Sequence, residues 1–220
     1  MHKSVTNLEY IKSDIKEKIK VSGYKNYNPN IIAVSKTFKI DHINPLIEIG
    51  HLDFGENKVQ EAIEKWTNVK KTNKSIKLHM IGKLQTNKVK HALKIFDYIH
   101  SVDNIKLAEK ISNEETKIGK KIKIFLQVNL AGEDQKAGVE KNGLKNLYEF
   151  CKNKSLDVCG LMCLPPFNED SKRYFAQLKS LNDELGLKEL SMGMSHDYLK
   201  SIEFKSTFLR IGSKIFGQRS

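Results

Sequence analysis

The chain has 220 residues, of which 39% are hydrophobic and 29% are charged, and its formal net charge is +12 at pH 7. This length supports one domain with a sizeable hydrophobic core. No stretch is apolar for long enough to span a bilayer, and residues 1–20 mix charged with apolar residues instead of forming a secretory signal. The composition therefore argues against a membrane protein and predicts a globular protein of the cytoplasm.

The positive charge does not by itself indicate a nucleic-acid-binding protein. Only three of the 38 basic residues are arginines, the residue type that reads bases and phosphates in a bidentate manner. The lysines are spread along the chain and alternate with glutamates, as is typical of solvated helix faces. We therefore expect no specific nucleic-acid partner, and a weak, salt-sensitive affinity for RNA ranks last among the functional hypotheses.

The cysteines predict neither a disulfide framework nor a metal site. Cys151, Cys159 and Cys163 are an odd number of cysteines in a chain without a signal peptide, which favours free and buried thiols. No cluster of histidine and cysteine has the spacing of zinc ligands. We expect no bound metal.

In chain order, the first predicted element is a helix over residues 5–21. Leu8, Ile11, Ile15 and Ile19 recur at spacings of three and four residues, which places them on one face. Glycine, asparagine and proline residues then end the helix.

A repeated pattern follows, in which short apolar runs alternate with polar turns and amphipathic stretches. Such alternation predicts parallel strands joined by helices. The apolar runs predict strands at 31–36, 52–56, 77–82, 97–102, 122–129, 156–163, 187–192 and 206–212.

Eight strands that alternate with helices predict an α/β protein with a (β/α)8 TIM barrel and an extra N-terminal helix. A doubly wound open sheet is the alternative, because the sequence does not show whether the sheet closes. No linker rich in proline or serine interrupts the chain, so residues 1–220 are expected to form a single domain.

The turns after the last two predicted strands indicate an anion site. The segments 191–195 (SMGMS) and 210–213 (RIGS) each place a glycine and a serine before a predicted helix, with Ser195 expected as an N-cap. Backbone at Gly212 can approach a ligand closely, and the hydroxyl of Ser213 adds a donor. Ordinary turns explain either segment alone, but the pair on adjacent strands favours a phosphate site at the carboxyl ends of the strands.

Lys36 ends the first predicted strand, which a closed barrel places beside the last one. A lysine amine at this end can attack an aldehyde and form a Schiff base. Together with a phosphate site, this predicts a phosphorylated aldehyde cofactor such as pyridoxal 5′-phosphate (PLP). Without that site, a lysine that simply reaches solvent would be the simpler interpretation.

Arg210 precedes the glycine of the last turn and is expected to point towards the ring nitrogen of such a cofactor. A guanidinium stays charged and keeps the ring nitrogen unprotonated, which weakens the ring as an electron sink. An arginine paired with a nearby carboxylate is the alternative interpretation.

Several longer segments resemble the pyridoxal phosphate homeostasis proteins, also called the YggS/PROSC family, whose fold is similar to the N-terminal barrel of alanine racemase. The matching segments run in order from the first strand to the C-terminus, and the last of them is highly specific. They are AVSKT (33–37), FGENKVQEA (54–62), HMIGKLQTNKVK (79–90), IHSVDN (99–104), QVNLAGEDQKAGV (127–139), GLM (160–162) and LSMGMSHDYLKSIEFKSTFLRIGSKIFGQR (190–219).

The resemblance implies a PLP-binding protein that acts in PLP homeostasis without catalytic turnover, because the family has no firmly established reaction. It implies a Schiff base on Lys36 and apo forms of PLP-dependent enzymes as recipients of the cofactor, and we expect a monomer. The implied cofactor-binding residues are Lys36, Asn57, Met192, Ser195, Arg210, Gly212 and Ser213. The sequence departs from the family pattern at Phe38, Lys39, Leu78 and Cys163.

A PLP-dependent amino-acid racemase or a related enzyme is the alternative function. A racemase needs a second acid or base on the opposite face of the substrate. In alanine racemase that group comes from a separate C-terminal domain, and this chain ends shortly after the eighth predicted strand. His79 or His196 would have to replace it. We expect His79 to be a hydrogen-bonded barrel residue and His196 to lie at the rim.

Overall fold

The computed structural model describes residues 2–132 and 137–217. Its central feature is a closed barrel of parallel strands in the order β1 to β8, so the predicted TIM barrel is confirmed and the open sheet is wrong. Residues 133–136 of the segment 127–139, and residues 218–219 of the last matching segment, lie outside the described residues.

The strands agree with the predicted apolar runs to within two residues at every end. Each run is rich in β-branched and aromatic residues and is bounded by polar or glycine-bearing turns, as expected for strands covered on both faces. The strands are β1 Asn30–Val34, β2 Asp53–Glu56, β3 Lys77–Met80, β4 Tyr98–Val102, β5 Lys123–Gln127, β6 Asp157–Met162, β7 Glu189–Met194 and β8 Phe208–Ile211.

One helix follows each strand, and a further helix precedes the barrel. Several of them are followed by a glycine in the left-handed region, among them Gly50 and Gly186, which stops the helix. The helices are α1 Lys3–Val21, α2 Ile40–Glu48, α3 Val59–Thr72, α4 Val89–Ile95, α5 Ile105–Ile118, α6 Lys141–Asn153, α7 Ser171–Glu184, α8 Tyr198–Ile202 and α9 Ser213–Phe216. A short 3-10 helix, Thr86–Lys88, precedes α4.

The barrel closes between its first and last strands. Ile32 pairs with Arg210 and Ala33 pairs with Ile211. The turn after β1 therefore lies beside the turn after β8, which brings Lys36 next to the glycine of the last turn.

The extra helix α1 packs on α8, α9 and α2, next to this closure. Asn7 Nδ2 donates to the carbonyl oxygen of Ile215 (2.9 Å), and the hydroxyl of Tyr198 donates to Asp14 Oδ2 (2.9 Å). These bonds tie α1 to the two short helices that follow the site-bearing turns.

Apolar side chains form two buried clusters. The larger one fills the space between the sheet and the helices. The smaller one fills the barrel interior, or bore, and contains Ile32, Val34, Phe125, Met162 and Phe208. No helix in the described part of the chain is both long enough and apolar enough to cross a bilayer.

Candidate functional site

A cavity of about 780 Å³ opens at the carboxyl ends of the strands. We call it the mouth cavity. Side chains and turns that follow six of the eight strands contribute to its wall, so its shape depends on barrel closure and not on any one loop. The wall is formed by Val34, Lys36, Phe38, Asn57, Ile81, Leu164, Phe167, Met194, Ser195, His196, Arg210, Gly212, Ser213 and Gly217.

Lys36 lies in a turn two residues after the end of β1, and not within the strand as predicted. The backbone N–H of Ser35 still donates to the carbonyl oxygen of Gly55 on β2 (3.0 Å), and the N–H of Phe38 donates back to Ser35 O (3.2 Å). Thr37 has a φ of 70°, in the left-handed region that few residues of its type adopt. The tight turn places the half-buried Lys36 side chain on the wall of the mouth cavity.

A buried polar cluster formed by side chains of β2 and α3 holds this turn in place. Glu56 is fully buried, and its Oε1 accepts from Ser35 Oγ (2.7 Å), Lys65 Nζ (2.9 Å) and Trp66 Nε1 (2.9 Å). Lys65 Nζ also donates to the carbonyl oxygen of Ser35 (2.9 Å). We call these four residues the Glu56 cluster. It fixes the residue immediately before Lys36.

The Glu56 cluster is charged but compensated. Burial raises the pKa of the Glu56 carboxyl above its usual value, while Lys65, Trp66 and Ser35 act in the opposite direction. Lys65 makes a second ion pair with Glu61 (2.9 Å), whose Oε1 also accepts from the N–H of Thr37 (2.6 Å). These charged groups therefore stabilise the turn that carries Lys36, and none of them lines the mouth cavity.

Arg210 forms part of the cavity wall although its residue is only 4% exposed. Its Nη1 donates to Ser191 Oγ (2.5 Å), and its Nη2 donates to the carbonyl oxygen of Cys163 (2.8 Å). Burial lowers the pKa of Arg210, but a guanidinium does not lose its proton in a protein. Both acceptors are neutral, so the charge of Arg210 remains available to a ligand in the mouth cavity.

The two predicted glycine turns meet at the cavity wall. Ser195 Oγ accepts from the backbone N–H of Gly212 (3.2 Å) and from that of Lys214 (3.4 Å). The prediction that Ser195 is the N-cap of its own helix is wrong, because α8 begins only at Tyr198 and Asp197 occupies the cap position. Ser195 instead ties the turn after β7 to the turn after β8.

Close contacts require the glycine in the first of these turns and leave little room for a side chain in the second. A Cβ at Gly193, which has a φ of 91°, would lie 2.3 Å from Ser201 Oγ. A Cβ at Gly212 would lie 3.3 Å from the carbonyl oxygen of Val34. Helices α8 and α9 are only five and four residues long, so anion binding here would depend on individual N–H and hydroxyl groups more than on a helix dipole.

Asn57 follows β2 and also contributes to the cavity wall. Its backbone is crowded by the next loop, since a Cβ at Gly82 would lie 2.4 Å from the carbonyl oxygen of Asn57. Glycine at position 82 therefore permits the loops after β2 and β3 to pack closely, which fixes where Asn57 enters the cavity.

Met192 is the predicted site residue that does not contribute to the cavity wall. It is fully buried in the cluster between sheet and helices, and Met194 lines the cavity instead. The pairing of β7 with β8 shifts register between Ser191 and Met194, across the positive φ of Gly193. This bulge turns Met194 towards the mouth, so the simple alternation of a strand does not apply.

The histidines considered as catalytic groups lie in different places. His196 lines the mouth cavity, where its ring is 4.9 Å from that of Phe167. His79 is fully buried in the bore and bonds to other side chains, as expected.

Sequence reasoning missed His100, Ser191 and Phe167 as residues of the site or its support. His100 and Ser191 are buried polar residues inside apolar strands, which was the available signal. Phe167 is 76% exposed beside the cavity, and no local pattern marks it. Phe38, a departure from the family pattern, lines the cavity and stacks on Phe216 with ring centroids 5.0 Å apart.

Comparison with known sequences places this architecture in a family. Residues 8–220 match the family model described as the N-terminal domain of alanine racemase. The chain is 38% identical over 199 residues to the pyridoxal phosphate homeostasis protein of Aquifex aeolicus, which covers 86% of each chain. It is 36% identical over 211 residues to the protein of the same name from Mus musculus, with 87% of this chain and 77% of that protein covered.

Solved structures give the same grouping. PipY of Synechococcus elongatus PCC7942, solved with PLP bound, is 32% identical with a TM-score of 0.78, covering 92% of this chain and all of that one. Alanine racemase from Clostridium difficile has a TM-score of 0.75 over 99% of this chain and 57% of its own, but at 16% identity it shows the fold alone. This chain belongs to the family of pyridoxal phosphate homeostasis proteins, whose barrel is that of the alanine racemase N-terminal domain.

Proposed function

We propose that this protein binds PLP in the mouth cavity and holds it for PLP homeostasis, without catalytic turnover of its own. The observation that carries the proposal is the meeting of Lys36, Arg210 and both glycine turns around one cavity. The relatives named as pyridoxal phosphate homeostasis proteins, and the PLP-bound structure of PipY, support the same ligand.

The residues of the cavity fit the chemistry of this cofactor. When bound, PLP supplies an aldehyde carbon to a lysine amine and a pyridine ring that withdraws electrons. The amine of Lys36 would hold the aldehyde end. The N–H and hydroxyl groups of the two turns would hold the phosphate, and the Arg210 guanidinium would face the ring nitrogen. The proposed binding residues are Lys36, Asn57, Ser195, Arg210, Gly212 and Ser213, with the backbone at Met192.

Arg210 favours storage over turnover. Its buried guanidinium donates hydrogen bonds but cannot provide a proton to the ring nitrogen. An unprotonated ring withdraws electrons less strongly, which lowers its capacity to stabilise a carbanion. We further propose that the apo forms of PLP-dependent enzymes receive the cofactor from this site.

Covalent trapping tests the binding mode. The protein is incubated with PLP, treated with borohydride and digested, and the modified peptide is identified by mass spectrometry. The modification is expected on Lys36 and should disappear in Lys36→Ala. Lys39→Ala is the matched control, because Lys39 is exposed and lies three residues along the chain. A modification that persists in Lys36→Ala, or that requires Lys39, would contradict the proposal.

An exchange experiment separates storage from racemase chemistry. His196 is the titratable residue of the cavity wall other than Lys36 and Arg210 among the described residues. The protein with PLP is therefore incubated with amino acids in deuterated water, and the α-protons are followed by NMR. We expect no exchange above that given by free PLP. Rapid exchange that is lost in His196→Gln would establish the racemase-like alternative.

A further inference from the structure

Five polar side chains cross the bore of the barrel in single file. Ser191 Oγ accepts from Arg210 Nη1 (2.5 Å) and lies 2.8 Å from His100 Nδ1. His100 Nε2 lies 3.0 Å from His79 Nδ1, and His79 Nε2 lies 3.0 Å from Asp53 Oδ1. We call these residues the bore chain. It begins at the mouth cavity and ends at the first residue of β2, at the opposite end of the barrel.

Aromatic rings enclose the bore chain. The ring of His100 stacks on Phe125 with centroids 4.3 Å apart, and that of His79 stacks on Tyr98 at 4.4 Å. His79, His100 and Ser191 are fully buried. In such surroundings an unmade hydrogen bond is costly, so each link has to have a donor on one side and an acceptor on the other.

The two ends of the bore chain fix its direction. Arg210 has only donors and an ionised Asp53 has only acceptors. Ser191 Oγ accepts from Arg210, and His100 Nδ1 is the only other polar atom of the described residues within hydrogen-bond distance of it, so the buried hydroxyl donates its proton to Nδ1. His100 must then carry its proton on Nε2 and donate to His79 Nδ1. His79 in turn carries its proton on Nε2 and donates to Asp53.

We propose that the bore chain is a one-directional hydrogen-bond chain with two neutral, Nε2-protonated histidines, and that it positions Arg210 at the floor of the mouth cavity. Ser191, His100 and His79 are thus positioning residues for the contact between Arg210 and a bound cofactor. The part that concerns the cofactor rests on the proposed function, whereas the assignment of the protons does not.

The burial of the two histidine rings and the charges around them agree with this assignment. Burial lowers the pKa of His79, against the influence of Asp53 and Asp97, and Lys77 lowers it further. Burial, together with His79 and Arg210, lowers the pKa of His100 well below its usual value. Both rings are therefore neutral near neutral pH.

The far end of the bore chain is accessible. The side chain of Asp53 is 17% exposed and lines a second cavity of about 630 Å³, next to His51, Lys12 and Lys16. Burial alone would raise the pKa of Asp53, but the hydrogen bond from His79 and the charge of Lys77 act in the opposite direction, and the pKa lies below its usual value. A change at this end is expected to reach Arg210 through the bore chain.

The proton positions are tested without any cofactor. Long-range ¹H–¹⁵N correlation spectra of the apo-protein near neutral pH report which ring nitrogen of each histidine carries the proton, and His79→Gln and His100→Gln assign the signals. We expect both rings to be neutral and protonated on Nε2. A proton on Nδ1 of either ring, or an imidazolium, would overturn the proposal.

The positioning role is tested in the PLP-loaded protein. Ser191→Ala removes one link, and we expect roughly tenfold weaker PLP binding and an altered absorption spectrum, because a hydrogen bond to a charged group is lost. Ser206→Ala is the matched control, since Ser206 is also fully buried and donates to Met192 O (2.7 Å) outside the bore chain. Equal effects of the two substitutions would refute positioning.

A substitution at the far end gives a second measure. Asp53→Ala removes the final acceptor, and we expect it to change the absorption spectrum, while Asp53→Asn keeps an acceptor and restores it. An unchanged spectrum in Asp53→Ala would also refute positioning. A wild-type protein that takes up no PLP would instead refute the proposed function, and the NMR spectra would still decide the proton assignment.

Discussion

The Glu56 cluster and the bore chain are two buried polar groups that use charge in opposite ways. In the Glu56 cluster the carboxylate and the Lys65 ammonium are 2.9 Å apart, so they compensate each other. In the bore chain the charges of Asp53 and Arg210 are separated by three neutral side chains. The first arrangement leaves no charge for a ligand, whereas the second leaves the guanidinium of Arg210 available at the cavity.

This difference assigns separate tasks to the two groups. The Glu56 cluster holds Ser35 and thereby the turn that carries Lys36. The bore chain holds Arg210 through neutral links that do not cancel its charge. A site that must fix an amine and present a cation to one ligand needs both. The comparison predicts that disrupting the Glu56 cluster mainly lowers the free energy of unfolding. Disrupting the bore chain should mainly change the affinity for PLP and the absorption spectrum of the bound cofactor.

The largest effect on stability is expected from Glu56→Ala. It leaves the ammonium of Lys65, whose side chain is 8% exposed, without one of its two carboxylate partners and opens a void. Removal of one partner of a buried ion pair lowers the free energy of unfolding by about 3–5 kcal/mol. Urea denaturation measures this change, and the yield of Lys36 trapping with borohydride should fall with it.

Glu64→Ala is the control for Glu56→Ala, because Glu64 lies on the solvent side of α3 and is not part of the Glu56 cluster. Glu64 is exposed on α3 and accepts from Gln60 (2.7 Å). Glu64→Ala should change the free energy of unfolding by less than about 0.5 kcal/mol, as for most surface substitutions. If Glu56→Ala were equally mild, the Glu56 cluster would not be what holds the Lys36 turn.

A smaller loss is expected from Gly193→Ala, at the bulge that joins the bore chain to the mouth. Positive φ costs a residue with a Cβ about 1–2 kcal/mol, and the contact with Ser201 adds a packing penalty of about 1–3 kcal/mol. Gly119→Ala is matched, because Gly119 has a φ of 68° with nothing within 4 Å of its Cβ position. The difference between the two variants in the free energy of unfolding, measured by urea denaturation, therefore isolates the packing penalty. Equal losses would show that β7 and Ser201 accommodate the added Cβ without a packing penalty.

Local pattern was sufficient to predict the alternating strands and helices and the ends of the strands, whereas the closure of the sheet into a barrel is not encoded in any one segment. Lys36, Ser195 and Gly212 follow apolar strands, and the carboxyl ends of parallel strands meet at one face, so sequence position predicts proximity. The Met194 position was not predictable, because the bulge at Gly193 depends on the pairing of β7 with β8. The bore chain was not predictable either, since it joins five strands at heights set by the closed register, which no segment encodes alone.

The smallest effect is a difference in pH dependence, and its sign follows from the buried histidines. Burial lowers the pKa of His79 and that of His100 in the folded state, while the unfolded chain protonates histidine at a pKa of about 6.5. Below that value the unfolded state binds more protons than the folded state, so the stability present at higher pH is lost as the pH falls. The lowered pKa of Asp53 acts in a separate window, below the unfolded pKa of about 3.9.

Removing one buried histidine should therefore flatten the acid side of the stability curve. Each histidine that stays neutral when folded contributes a slope of up to about 1.4 kcal/mol per pH unit below its unfolded pKa. Urea denaturation at several pH values between neutrality and about pH 5 should show that slope reduced by this amount in His100→Gln. Ser206→Ala, which removes a buried hydrogen bond but no titratable group, should shift the curve without changing its slope. An unchanged slope in His100→Gln would mean that His100 takes up a proton in the folded barrel, and the neutral links of the bore chain would then be wrong.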